Sequence, residues 1–181
     1  MTDFFEENIR DYHDRVHDIK EILLHAYLYL NLEQFFSGIK KLLLHESDYH
    51  EDLNETWNGD FVFLTEFNRI LIVETKYIRH REGRNPKHTC LCKRVLFQSL
   101  LKRKMLNLAW GVPEDLIDCA VFTTDHCLVN QAKRLVVTTE IQDVVVKHVT
   151  LQEFWGFINA KQHVELETRV TTGQKIAPGI R

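Results

Sequence analysis

The chain has 181 residues, of which 44% are hydrophobic and 27% charged, with 7 glycines and 3 prolines. That composition excludes a disordered or collagen-like chain and fits a folded, soluble protein. A chain of this length forms one compact domain that buries about 70% of the surface its unfolded form exposes, so it requires neither a disulfide framework nor a structural metal.

The net charge of −3 is unevenly spread. Nine Lys or Arg (Arg79, Arg81, Arg84, Lys87, Lys93, Arg94, Lys102, Arg103, Lys104) face the single acid Glu82, a local balance of +8 that leaves the rest of the chain at −11. Dense local positive charge attracts phosphates and releases their counterions, so this segment is a candidate polyanion site; a solvated basic loop and helix face is the simpler account of charge alone. Four cysteines, and acids at Asp3, Glu6 and Glu7 where a leader would be apolar, predict a reduced intracellular protein, cytoplasmic or nuclear. The apolar stretch Ile22 to Leu32 is too short to cross a bilayer and is interrupted by His25, so no membrane role is expected.

In chain order, Phe5, Ile9, Val16, Ile19, Leu23 and Tyr27 recur at helical spacing and predict an amphipathic helix from Phe4 to about Leu30. After Asn31, an N-cap residue, Leu32, Phe35, Phe36, Ile39, Leu42 and Leu43 predict a second helix with Glu33 in its first turn, ended by the polar stretch from His45 to Asn58. Two β-branched and aromatic runs between Asp60 and Ile78, separated by Glu66-Phe67-Asn68, predict a β-hairpin. With Asn68 left-handed, Thr65 faces Arg69 and Asp60 faces Glu74. Ile70 to Val73 is apolar on both faces, as in a central strand covered on both sides.

A basic loop over 79–90 precedes a helix from about Leu91 to Ala109, which Gly111-Val-Pro113 stops. Leu116 to Thr124 predicts a buried strand, and the segment from Leu128 to Val137 is either a helix or a helix that ends in a strand. Asp143 to Lys147 predicts a strand, and Thr150-Leu-Gln-Glu153 is a capping box opening a helix with Phe154, Trp155 and Ile158. The elements sum to an α/β layered fold, divided into a helical extension over 1–30, a domain over 31–160 and a polar tail over 161–181.

Glu74 and Lys76 stand out because charge is expensive inside a strand otherwise written Ile-Leu-Ile-Val and Tyr-Ile. Alternation puts both on one face, and the hairpin register brings Asp60 beside Glu74. Two adjacent carboxylates repel unless a cation lies between them, and hard oxygen ligands suit Mg²⁺ with retained waters. Such an ion stabilises charge on a phosphoryl group and lowers the pKa of a bound water, with a neighbouring lysine to hold water or phosphate in line. A Glu–Lys pair satisfied on a strand face, with Asp60 a turn residue, is the structural alternative.

Asp60, a hairpin and Glu74-Thr-Lys76 on an apolar strand resemble the PD-(D/E)xK nuclease superfamily, with its restriction-endonuclease-like fold. The order of Leu32-Glu33-Gln-Phe-Phe36, Asn58-Gly59-Asp60, Val73-Glu74-Thr-Lys76, Ala120-Val-Phe-Thr-Thr124, Asn130-Gln-Ala132, Val144-Val-Val146 and Leu151-Gln-Glu-Phe-Trp155 is similar to its Mrr-like, type IV restriction endonuclease branch. The resemblance covers about residues 31 to 158; it departs from the branch in a single Gly59 before the acid and in Glu where Gln is common.

The resemblance implies a three-layer fold, a central mixed sheet flanked by helices, and a Mg²⁺- or Mn²⁺-dependent endonuclease acting on nucleic acid, with DNA favoured. It also implies Asp60 and Glu74 as metal ligands, Lys76 as the catalytic lysine, Glu33 as a helix acid supporting the metal, and Gln98 as a polar residue directed at the site. Arg94, Gln98 and Lys102, four apart, form one stripe on their helix, and with Arg79, Arg81, Arg84, Lys87 and Lys93 would contact the nucleic acid. A homodimer fits cutting of both strands. The alternative is an inactive member of the fold serving as a nucleic-acid-binding or protein-interaction module.

Other chemistries find little support. Cys90-x-Cys92 lacks the spacing of a zinc knuckle and Cys119 falls in a buried strand, so buried thiols explain them better than zinc. No phosphate-binding or dinucleotide-binding glycine motif and no serine nucleophile elbow is present.

Overall fold

The structure is a computed structural model that describes residues 19–48, 58–78, 86–126, 128–130 and 144–172. The expected helix over 4–18, the basic residues Arg79, Arg81 and Arg84, Cys127, the ambiguous segment over 131–137 and the end of the tail over 173–181 lie outside the described residues.

The elements are α1 (Ile19–Leu30), α2 (Leu32–Phe35), β1 (Ile39–Asp48), β2 (Asn58–Thr65), β3 (Ile70–Lys76), α3 (Pro86–Trp110), β4 (Ile117–Thr123), β5 (Val144–His148) and α4 (Leu151–Thr172). The five strands form one sheet in the order β1-β2-β3-β4-β5. β1, β2 and β3 pair antiparallel, and β3, β4 and β5 pair parallel, so the sheet is mixed. Helices cover both faces, as expected of an α/β three-layer fold. One face packs Phe61, Phe63, Leu71, Val73, Ala120 and Phe122 against α1 and α4 through Leu24, Tyr27, Leu28, Phe154 and Ile158. The other face packs against α3. Cys92, Val95, Leu96 and Leu100 meet Cys119, Val121 and Val144, while Leu106 meets Val62, Ile70, Ile72 and Ile117.

The hairpin forms as its sequence predicts. Asn68 has φ 57, and the Thr65 N–H donates to the Arg69 carbonyl at 2.9 Å. The register pairs Phe61 with Val73, which sets Asp60 opposite Glu74 one residue further on. Arg69 then fastens the hairpin to β4 by donating to both carboxylate oxygens of Asp118, at 2.6 and 2.7 Å.

Three expectations are corrected. The second helix stops at Phe35, and Ile39–Asp48 is a strand. Gly38, at φ 73, turns the chain out of the helix, and its carbonyl accepts the Glu66 N–H of the hairpin loop at 2.8 Å. Register shifts between Ile39 and Lys41 and between Leu42 and Leu44 disturb the strand's alternation, so Leu42 packs on one face while its neighbours Leu43 and Leu44 pack on the other. A bulged strand thereby imitates helical spacing. Second, the helix over 19–30, read as part of an extension, supplies Leu24, Tyr27 and Leu28 to the core of the domain. Third, α3 starts at Pro86, five residues earlier than expected, with proline at a position where its missing N–H costs nothing. α4 opens on its capping box, with Thr150 Oγ1 accepting the Glu153 N–H at 3.1 Å and the Glu153 carboxylate accepting the Thr150 N–H at 2.9 Å. It runs through the expected boundary at 160 to Thr172.

Candidate active site

Glu74 is buried in β3, on the side of the strand that carries Ile70 and Ile72 to α3. There it accepts a hydrogen bond from the Lys102 ammonium, with only 8% of the Lys102 side chain and 10% of the Glu74 side chain exposed. Lys76, the last residue of β3, reaches the other way and donates to Glu21 Oε1 of α1 at 2.6 Å. Asp60 Oδ2 accepts both the Thr75 N–H and the Thr75 hydroxyl, the latter at 2.8 Å, and lies 3.7 Å from His25 Nε2 of α1. The end of β3 is tied to β4 where the Thr123 hydroxyl donates to the Lys76 carbonyl at 2.8 Å. Two helices on opposite faces thus each send a charged side chain to one end of the hairpin.

Burial works to raise the Asp60 carboxyl, but the close approach and charge of His25, the charge of Lys102 and the Thr75 N–H together hold it below the usual carboxylate range. Glu74 goes the other way. Burial first, then the nearby Asp60 charge, raise it to about 7 against the opposing pull of Lys102 and Lys76. Burial would lower Lys76, yet its hydrogen bond to Glu21 and the charges of Glu21, Asp60 and Glu74 outweigh it and hold the amine above its ordinary value. Lys76 is therefore a fixed ammonium at neutral pH, a donor and a positive charge, and not a base. Beside Asp60, His45 of β1 is held down to about 4, by burial first and then by the charge of His25.

Asp60, Glu74 and Lys76 lie near enough at the end of the hairpin to act on one another electrostatically, but Glu74 is turned to α3 and Lys76 to α1, where alternation alone would put both on one face; Glu33 makes no contact with them. It is exposed on α2, and the acid that meets Lys76 is Glu21, one helix earlier. Lys102 is likewise displaced from its expected role, buried against Glu74 where a phosphate contact would be exposed. Gln98 is half-buried one turn before Lys102, Lys93 and Arg94 are exposed on α3, and Lys87 lies in the first turn of that helix. Sequence reasoning missed Glu21 and His25, which are one turn apart on α1. The available signal was His25 itself, a polar residue interrupting the most apolar stretch of the helix.

Asp60 and Glu74 are the carboxylates suited to a divalent cation. Burial is the larger cause of the Glu74 rise, and the Asp60 charge adds a repulsion that a cation between them would relieve. Among the described residues no group of three or more His, Cys, Asp or Glu side chains is placed to hold one metal ion. Two carboxylates nevertheless fit Mg²⁺, which keeps several waters and takes one or two protein oxygens. Cys92 and Cys119 are buried reduced thiols with hydrogen bonds of their own, to the Asp125 carboxylate and the Ser99 carbonyl.

No family model and no curated protein matches the sequence. Among solved structures, the chain superposes on a complex of EndoMS with double-stranded DNA at a TM-score of 0.46 and 15% identity, covering 72% of this chain and 44% of that one. It superposes on a repair endonuclease from Pyrococcus abyssi at a TM-score of 0.41 and 12% identity, covering 75% of this chain and 49% of that one. The chain spans less than half the length of either protein. No helix among the described residues is long and apolar enough to cross a membrane.

Proposed function

We propose that this chain is a nuclease of the PD-(D/E)xK type, hydrolysing phosphodiester bonds in DNA with Mg²⁺ or Mn²⁺. The observation that carries the reading is the placing of Asp60, Glu74 and Lys76 within electrostatic range of one another at one end of the central hairpin. A divalent ion held by Asp60 and Glu74 would neutralise phosphoryl oxygens and supply a water of lowered pKa. The chain's own residues do the positioning. Thr75 and His25 keep Asp60 ionised and oriented, and Glu21 aims the Lys76 ammonium, which holds a phosphate oxygen or the attacking water in line by donating to it. Lys93 and Arg94, exposed on α3, meet the nucleic-acid backbone.

A second reading, an inactive module on the same fold, is favoured by one observation: Lys102 already neutralises Glu74 without a metal. Cleavage of labelled single-stranded, duplex, branched and supercoiled DNA with Mg²⁺, Mn²⁺ or EDTA separates the two. Metal-dependent cutting that Lys76→Ala abolishes is the expected result. DNA binding indifferent to metal, with no cutting, selects the inactive module.

A further inference from the structure

We infer that Lys102 is an internal competitor of the divalent cation, and that helix α3 thereby sets the metal affinity of the site. This rests on the nuclease reading above and adds a residue to it. Lys102 is buried, and it lies on the same side of α3 as the core residues Val95, Ser99 and Leu106. An ammonium there is costly unless a carboxylate meets it, and the partner it meets is Glu74, through Oε2. That oxygen belongs to one of the two carboxylates that suit a cation. A tethered monovalent cation on a metal ligand balances the charge of Glu74 beside Asp60, and an incoming divalent ion must first displace it. Metal binding then costs the breaking of a buried, charge-assisted hydrogen bond. A lysine that only held α3 to the sheet would stabilise the fold without opposing the metal.

The deciding experiment is a Mn²⁺ titration followed by the EPR signal of the free ion, on the full-length chain as wild type, Lys102→Met, Lys102→Arg and Glu74→Gln, with thermal unfolding of each in EDTA and in Mn²⁺. Lys102→Met should bind Mn²⁺ roughly tenfold more tightly than the wild type or better, since a charge-assisted hydrogen bond no longer opposes it. Mn²⁺ should also raise its unfolding temperature more than that of the wild type. Lys102→Arg, which keeps the charge, should stay near wild type, and Lys102→Gln replaces Lys102→Met if the latter does not purify. Unchanged or weaker Mn²⁺ binding in the neutral variants, beside a wild-type site that Glu74→Gln abolishes, overturns the competitor role and leaves the nuclease reading standing. Absence of Mn²⁺ binding in the wild type and the neutral Lys102 variants alike, or a Glu74→Gln that binds as well as wild type, overturns both.

Discussion

The Lys76 ammonium is held by a residue 55 positions away in sequence, and this makes Glu21 testable against the acid that the sequence nominates. Glu21→Gln removes the carboxylate that accepts the Lys76 hydrogen bond and that, with Asp60 and Glu74, offsets burial at Lys76. The pair is partly exposed, so the loss of stability should be about 1 kcal/mol, read from urea unfolding. Cleavage should fall about tenfold, in kcat more than in KM, because the ammonium is left in place but no longer aimed. Glu33→Gln, on an exposed first turn, should stay within about 0.5 kcal/mol of wild type and cut normally. Equal losses in the two variants would restore Glu33 to the site.

Two neighbouring groups also oppose one another in pH. His45, held at about 4 from an ordinary 6.5, binds its proton more readily in the unfolded chain, so its contribution is present above pH 6.5 and is lost as pH falls toward 4. Glu74, raised to about 7 from an ordinary 4.5, binds its proton more readily in the folded chain, so its contribution is present below pH 4.5 and is lost as pH rises toward 7. The wild type in EDTA should therefore show a shallow dependence over this range. His45→Asn should become less stable as pH rises from 4.5 to 7, and Glu74→Gln more stable as pH rises from 4 to 6.5. Denaturant midpoints across that range would show whether the slopes have opposite signs.

At the scale of elements, legibility followed the locality of the signal. The hairpin was readable because its register depends on one loop residue, Asn68, and a count along the two strands. The capping box of α4 and the glycine stop of α3 are equally local. β1 was not readable, because its bulges are imposed by pairing with β2 and erase the period that identifies a strand. The resemblance nominates Glu33 as the helix acid, whereas the acid in contact with Lys76 is Glu21 of α1. Gly38 is the residue that separates the two readings. A Cβ there would meet nothing nearer than Glu66 Oε2 at 3.7 Å, so the cost of Gly38→Ala comes from its φ of 73 and not from crowding. The expected destabilisation is about 1 kcal/mol, whereas in a continuous helix the same change would stabilise by a similar amount. The sign of the shift in a urea midpoint decides between strand and helix.

Across the whole molecule, the proposed binding of a polyanion depends on where charge is placed. A net charge of −3 opposes it at long range, while the +8 segment from Arg79 to Lys104 attracts it locally. Among the described residues the cations of that segment differ in exposure and pairing. Lys102 is consumed by Glu74 and Arg103 lies 3.6 Å from Glu114, while Lys93, Arg94 and Lys104 are exposed on α3. Cations that meet phosphates release counterions and carry no sequence information, so Lys93→Ala combined with Arg94→Ala should weaken binding to all duplex sequences alike. It should also reduce the slope of log affinity against log salt by about 2, close to one for each phosphate that is no longer neutralised. Lys102→Met should leave that slope unchanged, because a buried ammonium held by a carboxylate neutralises no phosphate. Fluorescence anisotropy on one duplex at several salt concentrations, in EDTA to keep binding apart from cleavage, measures the slope for wild type and both variants. A slope that Lys102→Met lowers as much as removal of an exposed cation would return Lys102 to the proposed binding face, and an unaltered slope in the double variant would remove α3 from the proposal.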